Sequence, residues 1–435
     1  MRYLTENKLD AVAQIQAKPQ IACQLSIETK PNIVIYLHVP EPLKTKVSGN
    51  LYIVMRIMTV NTIQNSTLLV DGSAAFDEIL RCIDAAHSSI LINMFIWRDD
   101  TIGNRLAHAV LRAADRGVQV TISADRVGMI LEMCEENESS FFHTNPCAFE
   151  MFKIWALRLS YPMNRSRAKA ERICSGLLEK ILSHPNIVVD RDRKKNDHSK
   201  FYIIDDHILI FGGVNVEDKE CGTDCAGRVY QDYMLKLEGA AHVRAFLDKL
   251  EHNQEISDVY RFHMNNKTIT PPAFEMYESF LSIINGAQKE LVIVMAYFAP
   301  INTIIRAIVS AWERGVHIRI LIPENANFQN DSNRKTVRLL MKYCRNEIEV
   351  RMSPKMIHTK LIFSENRVMF GSCNITNRAF YQLGELDIEL QNEDTPLINH
   401  VKESVAKNWS LSQPVDDYRR IRYSSVRAWI ESRLN

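Results

Sequence analysis

From Leu68 onward the chain alternates short apolar runs with segments in which apolar residues recur every three or four positions. Between residues 68 and 125 this pattern predicts strand, helix, strand, helix and strand, in that order. From Tyr277 the same order returns and ends near residue 324. Strands alternating with amphipathic helices are typical of an α/β protein with a mixed, mostly parallel sheet covered by helices. The repetition predicts two similar lobes.

The spacing of the repeat predicts where the lobes differ. The tripeptide Arg-Gly-Val at 116–118 recurs 198 residues later at 314–316, whereas a second repeated segment, described below, recurs after only 160 residues. The first lobe therefore contains an insertion of about 38 residues, which we place at about 131–190. We predict lobes at 66–250 and 251–435, with the active site where they meet.

Two other regions have simpler interpretations. Residues 1–65 match nothing in the repeat, and β-rich runs at 33–39 and 51–60 predict a small strand pair in an N-terminal extension. The apolar run at 291–312 is about long enough to cross a bilayer, but Pro300 and Arg306 interrupt it. The repeat predicts a strand, a loop and a helix there. With no apolar core near the N-terminus suited to a signal peptide, we expect a soluble or peripherally bound chain.

The second repeated segment carries the candidate chemistry. Its first copy, DHSKFYIIDDHILIFGGVN at 197–215, contains His198, Lys200, Asp205, Gly213 and Asn215. Residues two apart share one face of a strand, so His198 and Lys200 are predicted to lie together, and the acidic pair at 205–206 predicts a hairpin turn. Small residues at the end of the hairpin would let backbone N–H groups approach an anion. Imidazole, ammonium and amide groups around one anionic position suit a phosphate better than a metal.

The second copy, IHTKLIFSENRVMFGSCN at 357–374, repeats these features with His358, Lys360, Glu365, Ser372 and Asn374. A single His-x-Lys sequence is more simply explained as an ordinary hairpin with surface side chains. Agreement of two copies at five positions argues against that explanation.

The two motifs resemble those of the phospholipase D superfamily, also called the HKD family, which carries two His-x-Lys-x4-Asp motifs and acts on phosphodiester bonds. Within it the chain most resembles bacterial cardiolipin synthases, from about Ser66 to the C-terminus. Glu365 departs from the usual Asp, but the longer side chain keeps the charge, so we expect activity to survive. The resemblance implies two lobes facing a shared cleft.

The resemblance also implies roles for the motif residues. His198 would attack phosphorus and form a phosphohistidine, and His358 would act as general acid and then as base. The remaining catalytic and phosphate-binding candidates are Lys200, Asp205, Lys360, Glu365, Asn215, Asn374, Gly213 and Ser372. Asp232 and Glu385, on apolar strand-like runs after the motifs, would orient the imidazoles and fix their tautomers. A solvated strand charge is the simpler alternative for both acids. No metal or other cofactor is expected.

The motifs specify a phosphodiester but not its alcohols. Similarity to cardiolipin synthases implies transfer of a phosphatidyl group between phospholipids, and the alternatives are a hydrolytic phospholipase D, an inactive lipid-binding scaffold and a nuclease. A formal net charge of +1 and the lack of a basic stripe with interleaved aromatics argue against a nucleic-acid partner. The expected partners are phospholipid substrates and a membrane surface. The motifs do not predict an oligomeric state.

Cysteine usage and one segment of the insertion bear on location. Nine scattered cysteines fit a reducing compartment, so we expect a bacterial cytoplasmic protein associated peripherally with the inner face of the membrane. The segment 149–169 has Phe149, Phe152 and Trp155 at helical spacing. Its basic residues are Lys153, Arg158, Arg165 and Arg167. It is either an amphipathic segment that docks on anionic lipid or a core-facing helix with a solvated basic side.

Overall fold

The computed structural model describes residues 26–28, 34–36, 65–136, 140–143, 146–158, 176–191, 195–223, 227–254, 260–391 and 396–433. The chain divides into two compact units, Met1–Thr62 and Ile63–Asn435. In the first unit, strand β1 (Ser26–Glu28) pairs antiparallel with β2 (Val34–Tyr36). Strand β2 lies in the predicted run at 33–39, but its partner precedes it. The other predicted strand, at 51–60, lies outside the described residues.

The first lobe of the second unit follows the predicted order. Its strands are β3 (Ser66–Val70), β4 (Ser89–Met94), β5 (Gln119–Ala124), β6 (Ile187–Asp190), β7 (Phe201–Ile204), β8 (Ile208–Gly212), β9 (Tyr230–Gln231) and β10 (Tyr233–Glu238). Its helices are α1 (Asp71–Asp84), α2 (Thr101–Asp115), α3 (Arg126–Glu136), α4 (Ala148–Arg158), α5 (Leu177–Ser183), α6 (Asp218–Cys221) and α7 (Ala240–His252). Helices α3 to α5 lie in the long connection between β5 and β6, where the insertion was predicted.

The second lobe repeats this plan. Its strands are β11 (Tyr260–Asn266), β12 (Ala273–Phe274), β13 (Glu290–Met295), β14 (Phe298–Ala299), β15 (His317–Pro323), β16 (Glu349–Ser353), β17 (Met356–Ile357), β18 (Lys360–Ser364), β19 (Arg367–Gly371), β20 (Ile375–Thr376), β21 (Glu385–Gln391) and β22 (Gln413–Val415). Its helices are α8 (Met276–Gly286), α9 (Asn302–Glu313), α10 (Asn330–Tyr343), α11 (Asn377–Tyr381), α12 (Pro396–Ser410) and α13 (Ser425–Arg433), with a 3₁₀ turn at Tyr418–Arg420. The run at 291–312 is strand, short strand and helix, as predicted.

Each lobe is built on a mixed sheet. The strand order is β3-β10-β8-β7-β4-β5-β6 in the first lobe and β12-β11-β21-β19-β18-β13-β15-β16-β22 in the second. Among the described strands of these two sheets, only β4-β5-β6 and β13-β15-β16 pair in parallel, and the other neighbours are antiparallel. The prediction of mixed sheets is confirmed, but "mostly parallel" is wrong. Each motif hairpin joins its sheet beside the parallel strands and adds antiparallel pairs.

The internal repeat is visible in side-chain detail. Gly117 and Gly315 both have a left-handed backbone, with φ of 94° and 86°, which favours glycine at the turn after each helix. Arg116 donates to backbone carbonyls at the end of α1, and Arg314 donates to the corresponding carbonyls at the end of α8. The repeated tripeptide therefore closes the same helix-to-strand connection in both lobes.

A shared core joins the two sheets. In β7, Phe201 and Ile203 pack into this central core, while the alternating Tyr202 and Ile204 pack beneath the first lobe's helices. In β18 Phe363 belongs to the same central core. Because both motif hairpins have one face in this core, burial of apolar side chains fixes the ends of the two hairpins relative to each other.

No helix within the described part of the chain is long and apolar enough to cross a membrane. The helix predicted from the spacing of Phe149, Phe152 and Trp155 is α4. The rest of the predicted docking segment, including Arg165 and Arg167, lies outside the described residues.

Candidate active site

Both repeated segments form the predicted antiparallel hairpins, β7 with β8 and β18 with β19. Lys360 is the first residue of β18, whereas His198, Lys200 and His358 come just before their strands. The histidines therefore stand at the open ends of the hairpins, where the backbone pairs with other segments.

These other segments belong to the opposite lobe. The backbone N–H of His198 donates to Gly384 O at 2.7 Å, and the N–H of His358 donates to Gln231 O at 2.8 Å. Strand β9 of the first lobe also pairs in parallel with β17 of the second. Glu385 follows Gly384 in the sequence and Asp232 follows Gln231, and these are the two predicted orienting acids. The backbone thus brings each histidine to the acid of the other lobe.

The contacts of His198 define its tautomer. Its Nδ1 lies 3.1 Å from Glu385 Oε2 and 3.1 Å from the carbonyl oxygen of Ser372, and Ser372 Oγ donates to Glu385 Oε2 at 2.5 Å. A carbonyl oxygen only accepts, so the proton is on Nδ1 and Nε2 is the free nitrogen. Burial, with Lys200 next in importance, lowers the pKa of His198 well below its usual value. His198 is therefore neutral and has the form that a nucleophile requires.

His358 has a different set of partners. Its Nδ1 lies 3.0 Å from Asp232 Oδ2, 3.4 Å from Glu220 Oε1 and 3.0 Å from Lys360 Nζ. Burial, followed by the Lys360 and Lys200 ammonium groups, lowers the pKa of His358. Burial raises the pKa of Asp232 and of Glu220. Two acids and one imidazole share this space, so the cluster can retain a proton for a leaving group.

The two motif lysines lie behind the histidines. Lys200 and Lys360 are almost completely buried, and the Nζ of each donates to the carbonyl oxygen of its own motif histidine. Burial, and next the charge of Lys360, lowers the pKa of Lys200 to about 8. Neither ammonium contributes to the cleft wall. Both ammonium groups contact the histidines of their own motifs, and burial leaves the field of their charges weakly screened by water.

The cleft between the lobes has an empty volume of about 800 Å³, which includes space that is open to solvent. The first lobe contributes Phe95, Ile96, Leu131, His198, Asn215, Glu217, Lys219 and Tyr230 to its wall. The second contributes Tyr297, Asn327, Phe328, Gln329, His358, Asn374, Thr376, Arg378, Ala379 and Leu383. The wall thus combines the two histidines, two asparagines, Arg378 and the ion pair of Lys219 with Glu217 at 3.1 Å with aromatic rings, a mixture that suits a phosphodiester headgroup.

The predicted phosphate-binding residues separate into two groups. Asn215 and Asn374 line the cleft, and Asn374 Oδ1 also accepts the backbone N–H of Tyr297 at 3.2 Å. The backbone N–H groups of Gly213 and Ser372 are not arranged as predicted. Their N–H groups donate to backbone carbonyls of the neighbouring strand segments at 3.0 Å and are not open to an anion.

Gly213 and Ser372 instead position the orienting acids. A Cβ on Gly213 would lie 2.2 Å from Asp232 Oδ2, so only glycine leaves room for this carboxylate. Ser372 holds Glu385 through its hydroxyl and His198 through its carbonyl. The small residue at each position is thus required by a buried acid, which a hairpin considered alone does not reveal.

The motif acids Asp205 and Glu365 also differ from the prediction. Asp205 accepts the backbone N–H groups of residues 87–89, and Glu365 those of residues 288–290. Both lie at the hairpin turn, one strand length of about 13 Å from the histidine end. They tie each hairpin to the loop before the adjacent parallel strand and are not brought into the cleft.

Sequence reasoning missed several residues of the site. Glu220, Tyr230 and Tyr297 surround His358 through contacts between distant segments. For Lys219 and Arg378 a signal was present, since each cation follows the motif asparagine of its own copy by four residues. Both line the cleft.

A family profile described as "Cardiolipin synthase, PLD-like domain" matches residues 79–252 and 280–409 of this chain, and each matched range contains one motif. The chain belongs to this family. It is therefore a phospholipase D superfamily enzyme with two PLD-like repeats, and the resemblance inferred from the two motifs is confirmed.

Individual relatives are distant. Cardiolipin synthase A of Pseudomonas entomophila (strain L48) is 24% identical over 373 residues, covering 80% of this chain and 69% of that protein. Cardiolipin synthase of Oceanobacillus iheyensis is 23% identical over 378 residues, covering 81% and 71%. The crystal structure of phosphatidylserine synthase from Haemophilus influenzae Rd KW20 superimposes with a TM-score of 0.62 at 12% identity, covering 86% of this chain and 94% of that one. At this identity the structural match supports the PLD-like fold.

Proposed function

We propose that this PLD-like protein transfers a phosphatidyl group from one phospholipid to a hydroxyl group of a second, giving cardiolipin when both are phosphatidylglycerol. The observation that carries the proposal is the crossed pairing of the two histidines, each held by a buried acid from the other lobe at one cleft. The named activity of the distant relatives, cardiolipin synthesis, supports the choice of a phospholipid substrate.

The first half-reaction follows from the protonation states. His198 Nε2 attacks phosphorus, the bond from phosphorus to the leaving glycerol oxygen breaks, and the proton held by the His358 cluster passes to that oxygen. As the imidazole of His198 gains positive character, the Nδ1–H bonds to Glu385 and Ser372 stabilise it. The product of this step is a phosphatidyl-histidine.

The second half-reaction reverses these roles. His358, now without its proton, takes the proton of the acceptor hydroxyl, the acceptor oxygen attacks phosphorus and the bond to His198 breaks. Asn215 and Asn374, together with the buried ammonium groups, stabilise the phosphoryl oxygens in both steps. Two molecules of phosphatidylglycerol then yield one cardiolipin and one glycerol. If water replaces the acceptor, the product is phosphatidic acid.

Lipid mass spectrometry on purified protein tests the proposal. The protein is incubated with phosphatidylglycerol, with and without phosphatidylethanolamine, and we expect cardiolipin with released glycerol or ethanolamine. His198→Ala should abolish the product. His207→Ala is the matched control, because His207 is exposed on the turn of the same hairpin. Phosphatidic acid without cardiolipin would show a hydrolase instead, and no turnover of any lipid would contradict the proposed chemistry.

A further inference from the structure

Helix α4 has its apolar and polar faces reversed relative to an ordinary surface helix. Phe149, Phe152 and Trp155 are 62%, 61% and 62% exposed, while Glu150 is fully buried and Ile154 almost so. Spacings of three residues place the three aromatic side chains on one face. An ordinary surface helix would turn these rings inward and its glutamate outward.

The orientation of α4 is fixed by its buried face. Glu150 forms a two-point ion pair with Arg126 of α3, with both N–O distances 2.9 Å, and also accepts the backbone N–H of Cys147. Ile154 packs with Met129 and Ile130 of α3. Rolling the helix to hide its aromatic face would break this partly buried ion pair and leave the buried Glu150 carboxylate without Arg126, which is unfavourable. The outward aromatic face is therefore specified by the structure.

The aromatic face lies close to the cleft. Helix α4 packs directly on α3, and Leu131 of α3 forms part of the cleft wall. Phe95 and Ile96, also in the wall, pack with Val127 of α3. One helix thus separates the exposed rings from the space that holds the two histidines.

The chemistry of this face fits a lipid surface. The proposed chemistry takes place at the phosphodiester, so only the headgroup of a phospholipid has to enter the cleft and its acyl chains can stay in the bilayer. Large apolar side chains, a tryptophan and a lysine on one exposed helix surface are the composition of an interfacial helix. Lys153 Nζ lies 4.6 Å from the centre of the Phe149 ring, where the ammonium can meet anionic headgroups.

We propose that the face of α4 formed by Phe149, Phe152 and Trp155, with Lys153 beside it, inserts into the membrane interface and sets the cleft at headgroup level. The inference rests on the proposed function for its lipid substrate. The three rings enter the boundary between headgroups and acyl chains, and the ion pair between Glu150 and Arg126 transmits their position to the wall of the cleft.

Vesicle flotation tests this surface. Phe149, Phe152 and Trp155 are replaced together by Gln, which has at least as high a helix propensity. Burial of each exposed ring contributes roughly a tenfold factor to binding. Losing all three should therefore weaken binding to vesicles of phosphatidylethanolamine and phosphatidylglycerol by at least about a hundredfold. The control is Tyr343→Gln, since Tyr343 is 52% exposed near the C-terminus of α10 and should bind as wild type. Thermal melting checks that both variants fold.

A second measurement separates docking from catalysis. The triple variant should turn over a short-chain, water-soluble phosphatidylglycerol at the wild-type rate and lose turnover only on vesicles. Equal vesicle binding by wild type and variant would overturn the docking surface. So would a wild-type dimer that the substitutions dissociate, because a second copy would then cover the face. If wild type binds vesicles but turns over no phospholipid, the proposed function fails while the docking result stands.

Discussion

Replacing Glu385 with Gln separates the chemical role of this acid from its structural role. Glu385 Oε2 accepts from His198 Nδ1 at 3.1 Å, and in the reaction that nitrogen belongs to an imidazole that is becoming positive. A hydrogen bond to a charged group contributes about 1.5–3 kcal/mol and a neutral one about 0.5–1.5 kcal/mol. Gln cannot supply the negative charge that the developing imidazolium would favour on Glu385, so the substitution should cost about 1–2 kcal/mol of transition-state stabilisation, or roughly a 5- to 30-fold lower kcat.

The expected loss is smaller than that of a serine-protease triad, where replacing the aspartate lowers kcat about 10⁴-fold through the wrong tautomer. Here the carbonyl oxygen of Ser372 also accepts from His198 Nδ1 and keeps the proton there. The assay is kcat on a short-chain phosphatidylglycerol at pH 7, so that membrane binding does not enter.

The same substitution should not lower the free energy of unfolding, although it lowers kcat. Burial raises the pKa of Glu385 from 4.5 to about 8. A carboxyl group with a raised folded-state pKa contributes most stability below pH 4.5, and this contribution is lost as the pH rises toward 8. At pH 7 the folded chain still holds the Glu385 proton that the unfolded chain has released, which lowers the free energy of unfolding by an amount on the order of 3 kcal/mol. Glu385→Gln should thus melt no lower than wild type while being slower.

Asp387 provides the matched control. It lies two residues further along β21, is equally buried, and burial also raises its pKa to about 8. Its Oδ1 accepts the backbone N–H of Cys373 rather than an imidazole. Asp387→Asn should have a similar effect on stability and leave kcat close to wild type. Wild-type kcat in Glu385→Gln, or an equal loss in both variants, would refute the assigned role of Glu385.

Three further predictions follow from the same geometry. Glu220→Gln removes a carboxyl 3.4 Å from His358 Nδ1, which lowers the proton affinity of that cluster, so the alkaline limb of the kcat profile should move to lower pH. An unmoved limb would exclude Glu220 from proton transfer. Asp205→Ala removes the carboxylate that accepts the backbone N–H groups of the loop before β4. Urea titration should show a free energy of unfolding lower by about 1–3 kcal/mol, with little change in kcat at low temperature. A variant that is as stable as wild type but inactive would place Asp205 in the chemistry. Because the proposed steps use only side chains and amides, activity should persist in excess EDTA, and loss restored by one divalent ion would contradict the metal-free mechanism.

Local features of the sequence predicted much of this fold. The two hairpins follow from alternating apolar residues around an acidic turn, and Gly117 and Gly315 recur because the same helix-to-strand turn requires a left-handed residue. The hairpins and the glycine turns could be predicted because each depends only on residues close together in the sequence. The proportion of antiparallel pairing was not, because it depends on which strands the hairpins meet in the sheet.

The site was predicted only in part because its decisive contacts cross between lobes. The sequence named both histidines and the two acids predicted to orient them, but nothing local shows that Glu385 contacts His198 or that Asp232 contacts His358. Ser372 was assigned to phosphate because a small residue ending a hairpin is compatible with anion binding. Its actual partner, Glu385, is 13 residues away on another strand.

The central claim is that His198 carries the phosphatidyl group. A water-soluble phosphatidyl ester of 4-nitrophenol needs no proton for its leaving group, so His358→Ala protein should still be labelled and should lack the base that completes turnover. After quenching in base and digestion, peptide mass spectrometry should find the phosphatidyl adduct on His198 and none in the His198→Ala protein. An adduct on His358 of the wild-type protein, or transfer with no adduct on either histidine, would contradict the account.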